Sequence, residues 1–170
     1  IFLPFVALQQ LADVATAHGP LPKSLKEVVT AGEQLRVNPV LREFFQRIPE
    51  CRLHNHYGPS ETHVVTAHTL TGPPLDWPTL PPIGKAIPNV ALRLMGDDGK
   101  PVSSGENGEL CVSGVCLADG YWRRPDLTAS RFVAAPTPGR DLMYRTGDLA
   151  RDMGEGTYEF LGRLDHQVLE

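Results

Sequence analysis

Residues 72–88, GPPLDWPTLPPIGKAIP, hold six of the 16 prolines in this 170-residue chain. Proline has no backbone N–H to give to a helix or a sheet ladder, so neither a long helix nor a central strand can run through the stretch. It reads as an ordered loop or a subdomain boundary, and the hydrophobic pattern changes across it.

Before the boundary the pattern alternates between helix and strand. Pro4 suits a first helical turn, and Val6, Ala7, Leu11, Val14 and Ala15 recur near helical spacing until Gly19 and Pro20 end the run. Leu25 to Ala31 is a short, β-branched segment turned by Gly32 and is expected to be a buried strand. Asn38-Pro39 starts a second helix with Val40, Leu41, Phe44, Phe45 and Ile48 on its apolar face, and a strand from about Cys51 to His56 follows. That order predicts a parallel sheet with flanking helices over residues 1–80, whose ligands would sit at the carboxyl ends of the strands. After the boundary, Val90–Met95, Gly108–Ser113, Leu142–Tyr144, Asp148–Asp152 and Thr157–Leu161 are short strand candidates separated by GDDGK, SSGENG and DMGEG turns, with a helix expected over Pro125–Val133. The predicted class is therefore α/β. A parallel-sheet portion is followed, over 81–162, by a small antiparallel, β-barrel-like subdomain.

Sixteen Lys and Arg against 20 Asp and Glu give a net charge of -4 with no basic run. Nucleic acid and anionic membrane surfaces are not the expected partners. No apolar stretch approaches the roughly twenty residues that a spanning helix needs. Nothing basic precedes the apolar start, so a signal peptide is not expected either. Cys51, Cys111 and Cys116 are odd in number and contain no Cys-x-x-Cys pair, which suits the reducing cytoplasm. A chain that begins at Ile1 inside an apolar segment reads as an internal fragment of something larger.

The chemistry centres on NHYGPSE. Tyr57 offers a flat face on which a purine can stack, for about 1–3 kcal/mol by analogy with base stacking. Asn55, two residues earlier and on the same side of the strand, has the donor and acceptor that match an adenine edge. Gly58-Pro59 turns the chain so that the Ser60 hydroxyl and Glu61 carboxylate can follow the base toward its phosphates, and a lone Glu suits magnesium. Downstream, YRTGD presents Asp148, which could accept from both ribose hydroxyls, although Thr-Gly-Asp is also ordinary turn chemistry. His54, His56 and His63 are close in sequence, but no further zinc ligand can be picked out, and no metal centre of that kind is expected.

NHYGPSE, GELCVSGVCLADGYWRRPDLTASRF, YRTGDL and GRLDHQV together resemble the adenylation domain of nonribosomal peptide synthetases, within the adenylate-forming, AMP-binding family. Four elements in family order across nearly the whole chain are far more specific than any one of them. The resemblance implies a fragment of the family's large N-terminal part and a ligase reaction. ATP and an amino acid would give an aminoacyl adenylate and pyrophosphate, and the acyl group would pass to the phosphopantetheine thiol of a peptidyl carrier protein in secondary-metabolite biosynthesis. It implies ATP and Mg2+ as cofactors. Asn55 and Tyr57 would contact adenine, Gly32 would let the backbone approach the nucleotide, and Ser60 would meet the phosphate. Glu61 would hold magnesium, Asp148 the ribose, and Arg163 the ribose or phosphate region. Phe160 stands where many relatives have a Tyr beside the nucleotide. Residues 163–170 would be the hinge and the start of a C-terminal subdomain, with Asp165 at the hinge. The family's upstream phosphate loop and downstream catalytic Lys are not in this sequence, so the chain by itself is expected to be inactive.

The same resemblance places Phe2, Val29, Ala31, His56, Val64 and Val65 around the amino-acid pocket. Such a lining is small and mostly apolar, with His56 as its one polar edge, which disfavours charged and large aromatic substrates. It is similar to the lining of proline-activating domains, and L-proline is the expected substrate, with valine or leucine as the fallback. The competing readings are an aryl or fatty acyl-CoA ligase of the same family and a non-catalytic remnant that keeps the fold.

Overall fold

A computed structural model describes residues 1–136 and 142–164. The chain separates into two units. One holds Ile1–Tyr57 with Ala67–Gly84, and the other Gly58–Thr66 with the chain from Lys85 onward.

The first unit is built on α1 (Phe5–Ala17), β1 (Glu27–Thr30), α2 (Pro39–Arg47), β2 (Arg52–Tyr57) and β3 (Thr66–Thr69), with the strands in the order β1-β2-β3. β1 and β2 are parallel, with Val28 beside Leu53 and Thr30 beside Asn55, as the alternating helix and strand pattern predicts. α1 buries Leu8, Ala12 and Ala15. α2 is the better specified helix. Pro39 opens its first turn, the Asn38 side chain accepts from the Leu41 N–H at 2.9 Å, and Leu41, Phe44 and Phe45 face inward. Burying each of these side chains contributes about 1.5–3 kcal/mol. The edge of the Phe44 ring meets Phe45 at 5.2 Å, and Phe45 packs on Trp77 at 5.3 Å.

The proline-rich stretch is ordered, as expected, and not featureless. It contains a 3-10 turn at Pro74–Asp76 and a two-residue strand, β4 (Lys85–Ala86). It also folds onto α2 through its own backbone. Arg42 donates to the Trp77 carbonyl at 2.8 Å, the Val37 N–H donates to the Thr79 carbonyl at 2.8 Å, and the Trp77 indole donates to the Thr71 carbonyl at 3.0 Å.

The second unit is an antiparallel sheet of β5 (Val90–Met95), β6 (Asn107–Gly114), β7 (Phe132–Ala134), β8 (Leu142–Asp152) and β9 (Tyr158–Arg163). β8 is its spine. It pairs with β6 along its length, with β7 near its start and with β9 near its end. Two expectations are corrected here. The helix α3 stops at Arg131, and Phe132–Ala134 is a strand on β8. The two strands expected at Leu142–Tyr144 and Asp148–Asp152 are one continuous strand, in which Thr146, Gly147 and Asp148 form a bulge and not a turn. No helix among the described residues is long and apolar enough to cross a membrane.

Candidate functional site

In the first unit the candidate residues lie along the ends of β1 and β2. Successive side chains of a strand point to opposite faces, and paired residues of parallel strands share a face. Val28, Thr30, Leu53 and Asn55 therefore face the core, and Val29, His54 and His56 the other side. Phe2 joins this second group, because residues 1–3 run beside β1. The Leu3 N–H donates to the Val29 carbonyl, the Val29 N–H donates to the Ile1 carbonyl, both at 2.9 Å, and Phe2 bridges to Val29. Three expected lining residues, Phe2, Val29 and His56, thus share one face, and Ala31 follows directly after β1, partly exposed. Burial first, and then the charge of His54, lowers the His56 pKa, so its imidazole is neutral at pH 7. His54 itself is 2.9 Å from the Thr69 hydroxyl.

Asn55 is only 4% exposed, and its Nδ2 donates to the Pro82 carbonyl at 2.9 Å. One of its donors is thus already spent within its own unit. Tyr57 ends β2, half-buried, and Gly32 lies two residues past β1 with φ +88°.

In the second unit Gly58-Pro59 begins a tight loop. A Cβ on Gly58 would lie 1.8 Å from the His63 carbonyl oxygen, so only glycine permits the closure. The Thr62 N–H donates to the Pro59 carbonyl at 3.1 Å, and Ser60 is exposed at the tip. Val64 is half-buried and Val65 fully buried just beyond.

Glu61 is clamped. Its carbonyl accepts from the Ala118 N–H at 2.8 Å, and its Oε1 accepts from the Tyr121 hydroxyl at 2.5 Å. The Tyr121 and Tyr144 hydroxyls are 3.2 Å apart. Phe132 lies against both rings, at 5.9 Å and 4.9 Å, and closes off one side of the pair. Burial acts to raise the Glu61 carboxyl, but the phenol donors Tyr121 and Tyr144, the Glu61 backbone N–H and the field of Arg131 outweigh it. The net direction is down. Burial and the neighbouring carboxylate push both phenols up, so they remain O–H donors. An ionised, half-buried carboxylate with one oxygen already engaged fits magnesium arriving with a phosphate, because that ion takes one or two carboxylates and completes its shell from phosphate and water. Among the described residues no group of three or more His, Cys, Asp and Glu could hold a metal unaided.

The YRTGD segment supplies the second acidic centre. Asp148 is 5% exposed, and its Oδ1 accepts from Arg163 Nη1 at 3.1 Å. Arg163 also donates to the Thr146 carbonyl at 3.2 Å. Asp148, expected at the ribose, and Arg163, expected at the ribose or phosphate region, are therefore an ion pair. Phe160 pairs with Ala150 across the same two strands. Asp165 lies outside the described residues.

Sequence reasoning missed four members of these networks: Glu109, Tyr121, Tyr144 and Arg145. Tyr121 and Tyr144 read as parts of recognisable stretches without a partner assigned. Glu109 carried a usable signal, since a carboxylate stands directly before Leu110, Cys111 and Val112 in a strand that is otherwise buried.

Comparison with known proteins adds the following. The family model described as AMP-binding enzyme matches residues 2–122. The chain is 46% identical over 147 residues to gramicidin S synthase 2 of Brevibacillus brevis, and 44% identical over 167 residues to tyrocidine synthase 2 of Brevibacillus parabrevis. These alignments cover 86% and 98% of the chain, but only 3% and 4% of the synthases. A solved structure, PA1221, an NRPS protein containing adenylation and PCP domains, superposes with a TM-score of 0.84 at 33% identity. It covers 98% of this chain and 33% of that one.

Proposed function

We propose, from the premise that this chain belongs to the AMP-binding enzyme family, that it forms part of a domain activating an amino acid as its adenylate. The observation that carries this reading is the Gly58–Val65 loop, which fixes an ionised Glu61 beside an exposed Ser60 hydroxyl. In the reaction a carboxylate oxygen of the amino acid attacks the α-phosphorus of ATP, a P–O bond forms, and pyrophosphate leaves with the electrons of the bond that breaks. No covalent bond to the protein is required, so the protein's work is alignment and neutralisation of charge.

Roles follow for particular residues. Ser60 donates its hydroxyl to a phosphate oxygen. Glu61 would hold magnesium, which when bound neutralises phosphate charge. Asp148, with Arg163 as its counter-charge, accepts from the ribose hydroxyls. Tyr57 and Asn55 meet the adenine, with Gly32 and Phe160 beside the nucleotide. Phe2, Val29, Ala31, His56, Val64 and Val65 line the amino-acid pocket. The neutral His56 on the Phe2 and Val29 face supports a small, uncharged substrate, and L-proline is our assignment. Asp165 serves as the hinge, and a phosphopantetheine carrier thiol receives the acyl group. The three free cysteines support a cytoplasmic setting.

The test is amino-acid-dependent ATP–pyrophosphate exchange by the full-length polypeptide that carries this chain, across a panel of amino acids. Proline should give the strongest exchange, and the 170-residue chain alone should give none. Exchange with another amino acid but not with proline refutes the substrate assignment. No exchange with any member of the panel refutes amino-acid activation.

A further inference from the structure

We infer that Glu109 is a positioning residue for Asp148: it holds open the bulge in β8 that aims the Asp148 carboxylate. This rests on the reading of Asp148 as the ribose acceptor. The ladder between β6 and β8 slips at this point. Glu109 faces Leu149 and Cys111 faces Arg145, so Leu110 alone stands opposite Thr146, Gly147 and Asp148. Two residues too many on one strand must bend outward and lose their ladder bonds, which is how bulges redirect side chains near functional sites.

Side chains replace the missing bonds. The Thr146 hydroxyl donates to the Leu110 carbonyl at 2.6 Å and accepts from the Asp148 N–H at 3.0 Å. Glu109 spans the bulge. Its Oε1 accepts from the Gly147 N–H at 3.0 Å, and its Oε2 accepts from Arg145 Nε and Nη2 at 2.8 Å and 2.5 Å. The carboxylate thus grips the residues on both sides of Thr146. Gly147 takes φ +74°, a left-handed conformation that glycine adopts without strain, and the turn of the backbone there leaves its N–H directed to Glu109 in place of β6. Glu109 is 6% exposed, and a carboxylate that dry is tolerated only with its charge paired and its oxygens bonded. Arg145 and Gly147 supply both conditions, and the burden of keeping them falls on the geometry of the bulge.

The inference is tested in the full-length polypeptide with Glu109→Gln, which keeps the shape but cannot serve both Gly147 and Arg145 as acceptor. Exchange is measured with ATP and with 2′-deoxy-ATP, and the ratio of the two kcat/KM values is compared with those of the parent and of Asp148→Asn. Affinities for AMP and 2′-deoxy-AMP by calorimetric titration give the same ratio at equilibrium. Because both nucleotides meet the same sample, an inactive fraction cancels from the ratio. The preference for the ribonucleotide should fall about tenfold in Glu109→Gln, the effect of one displaced hydrogen bond, toward its value in Asp148→Asn. If Glu109→Gln weakens both nucleotides equally while Asp148→Asn removes the preference, Glu109 only supports the fold and the inference is overturned. If the parent shows no preference, or Asp148→Asn leaves it intact, the ribose reading of Asp148 fails first and takes the inference with it. Should Glu109→Gln not fold, Glu109→Asp retains the charge for Arg145 but is one methylene too short to reach both partners. Its ratio must also fall, and an unchanged ratio overturns the inference.

Discussion

Replacing Tyr121 by Phe removes one oxygen and leaves a ring that can still meet Phe132 edge-on at 5.9 Å. What is lost is the 2.5 Å bond to the Glu61 carboxylate and the 3.2 Å contact with the Tyr144 hydroxyl. A hydrogen bond to a charged acceptor contributes about 1.5–3 kcal/mol. Tyr144, 4% exposed, keeps its own hydroxyl as a donor toward Glu61, which places the expected loss near the lower end, about 1.5 kcal/mol. The assay is a double-mutant cycle of Tyr121→Phe and Glu61→Ala, with stabilities from urea unfolding followed by circular dichroism. A coupling of about 1–2 kcal/mol is expected, because each single change removes the same bond and the double change removes it only once. A coupling below about 0.5 kcal/mol, the level at which unconnected sites add, would show that the phenol does not hold Glu61 in solution and would dismantle the account of an anchored magnesium ligand.

Three further outcomes follow from the same geometry. Asn38→Ala deletes the cap of α2 together with a 2.6 Å bond from Asn38 Nδ2 to Gln9, and should destabilise the first unit by about 1–2 kcal/mol, read from the fluorescence of Trp77, which is 6% exposed. Trp122 is 85% exposed and contributes little to that signal, so a transition unchanged by Asn38→Ala would remove the cap from the account of α2. Burial pushes the Cys111 thiol up to about 12, leaving roughly one molecule in ten thousand as thiolate at pH 8, so iodoacetamide should label Cys116 in the folded chain and Cys111 only after denaturation. Burial lowers the pKa of His56, with the charge of His54 second, and burial lowers that of His68, each from 6.5. The unfolded chain then binds more protons than the folded one just below pH 6.5. The stability these residues confer is complete above that value and lost as pH falls through their folded pKa values. The urea midpoint of the first unit should therefore drop on acidification from about pH 7 to about pH 5, and less steeply in a His56→Gln, His68→Gln chain.

Elements with a strong local signal were legible from the sequence, and those defined by a distant partner were not. α2 had an Asn-Pro start and a clean apolar face, β1 was a short β-branched run turned by Gly32, and β2 was set off by Pro49 before it and Gly58-Pro59 after it. β3 had nothing comparable. Of Thr66, Ala67, His68 and Thr69 only Thr66 is buried, so no alternation of apolar residues marks the strand. α3 was read two residues too long because Phe132 and Val133 stand three and four residues after Ala129, at helical spacing, whereas pairing with Tyr144 and Met143 on β8 converts them to strand. Local propensity is a weak prior against a ladder that offers backbone partners.

The candidate site divides in the same way, and the division explains why an acidic residue's identity is easier to read than its role. Glu61 and Ser60 are visible because the turn chemistry of Gly58-Pro59 beside them is local, and Asp148 because it stands in the short Thr-Gly-Asp pattern, although that tripeptide is a bulge in the fold. Tyr121 is 60 residues from the carboxylate it holds, and Glu109 is 38 residues from the N–H it caps, so no spacing rule connects either pair. A sequence does show when a residue breaks its local pattern, and each break must be offset by a partner somewhere in the fold. Glu109 is such a case. A carboxylate beside Leu110, Cys111 and Val112 contradicts the burial of its strand unless a cation and a backbone donor converge on it, and Arg145 and Gly147 do so. Burial first, and then the charge of Glu109, raises the thiol of Cys111 two residues away against the weaker pull of Arg145, and its proton stays on. One buried strand thus sets side by side a carboxylate whose two oxygens are taken up by Arg145 and Gly147 and a thiol that keeps its proton, and of the two the carboxylate spans the bulge in β8.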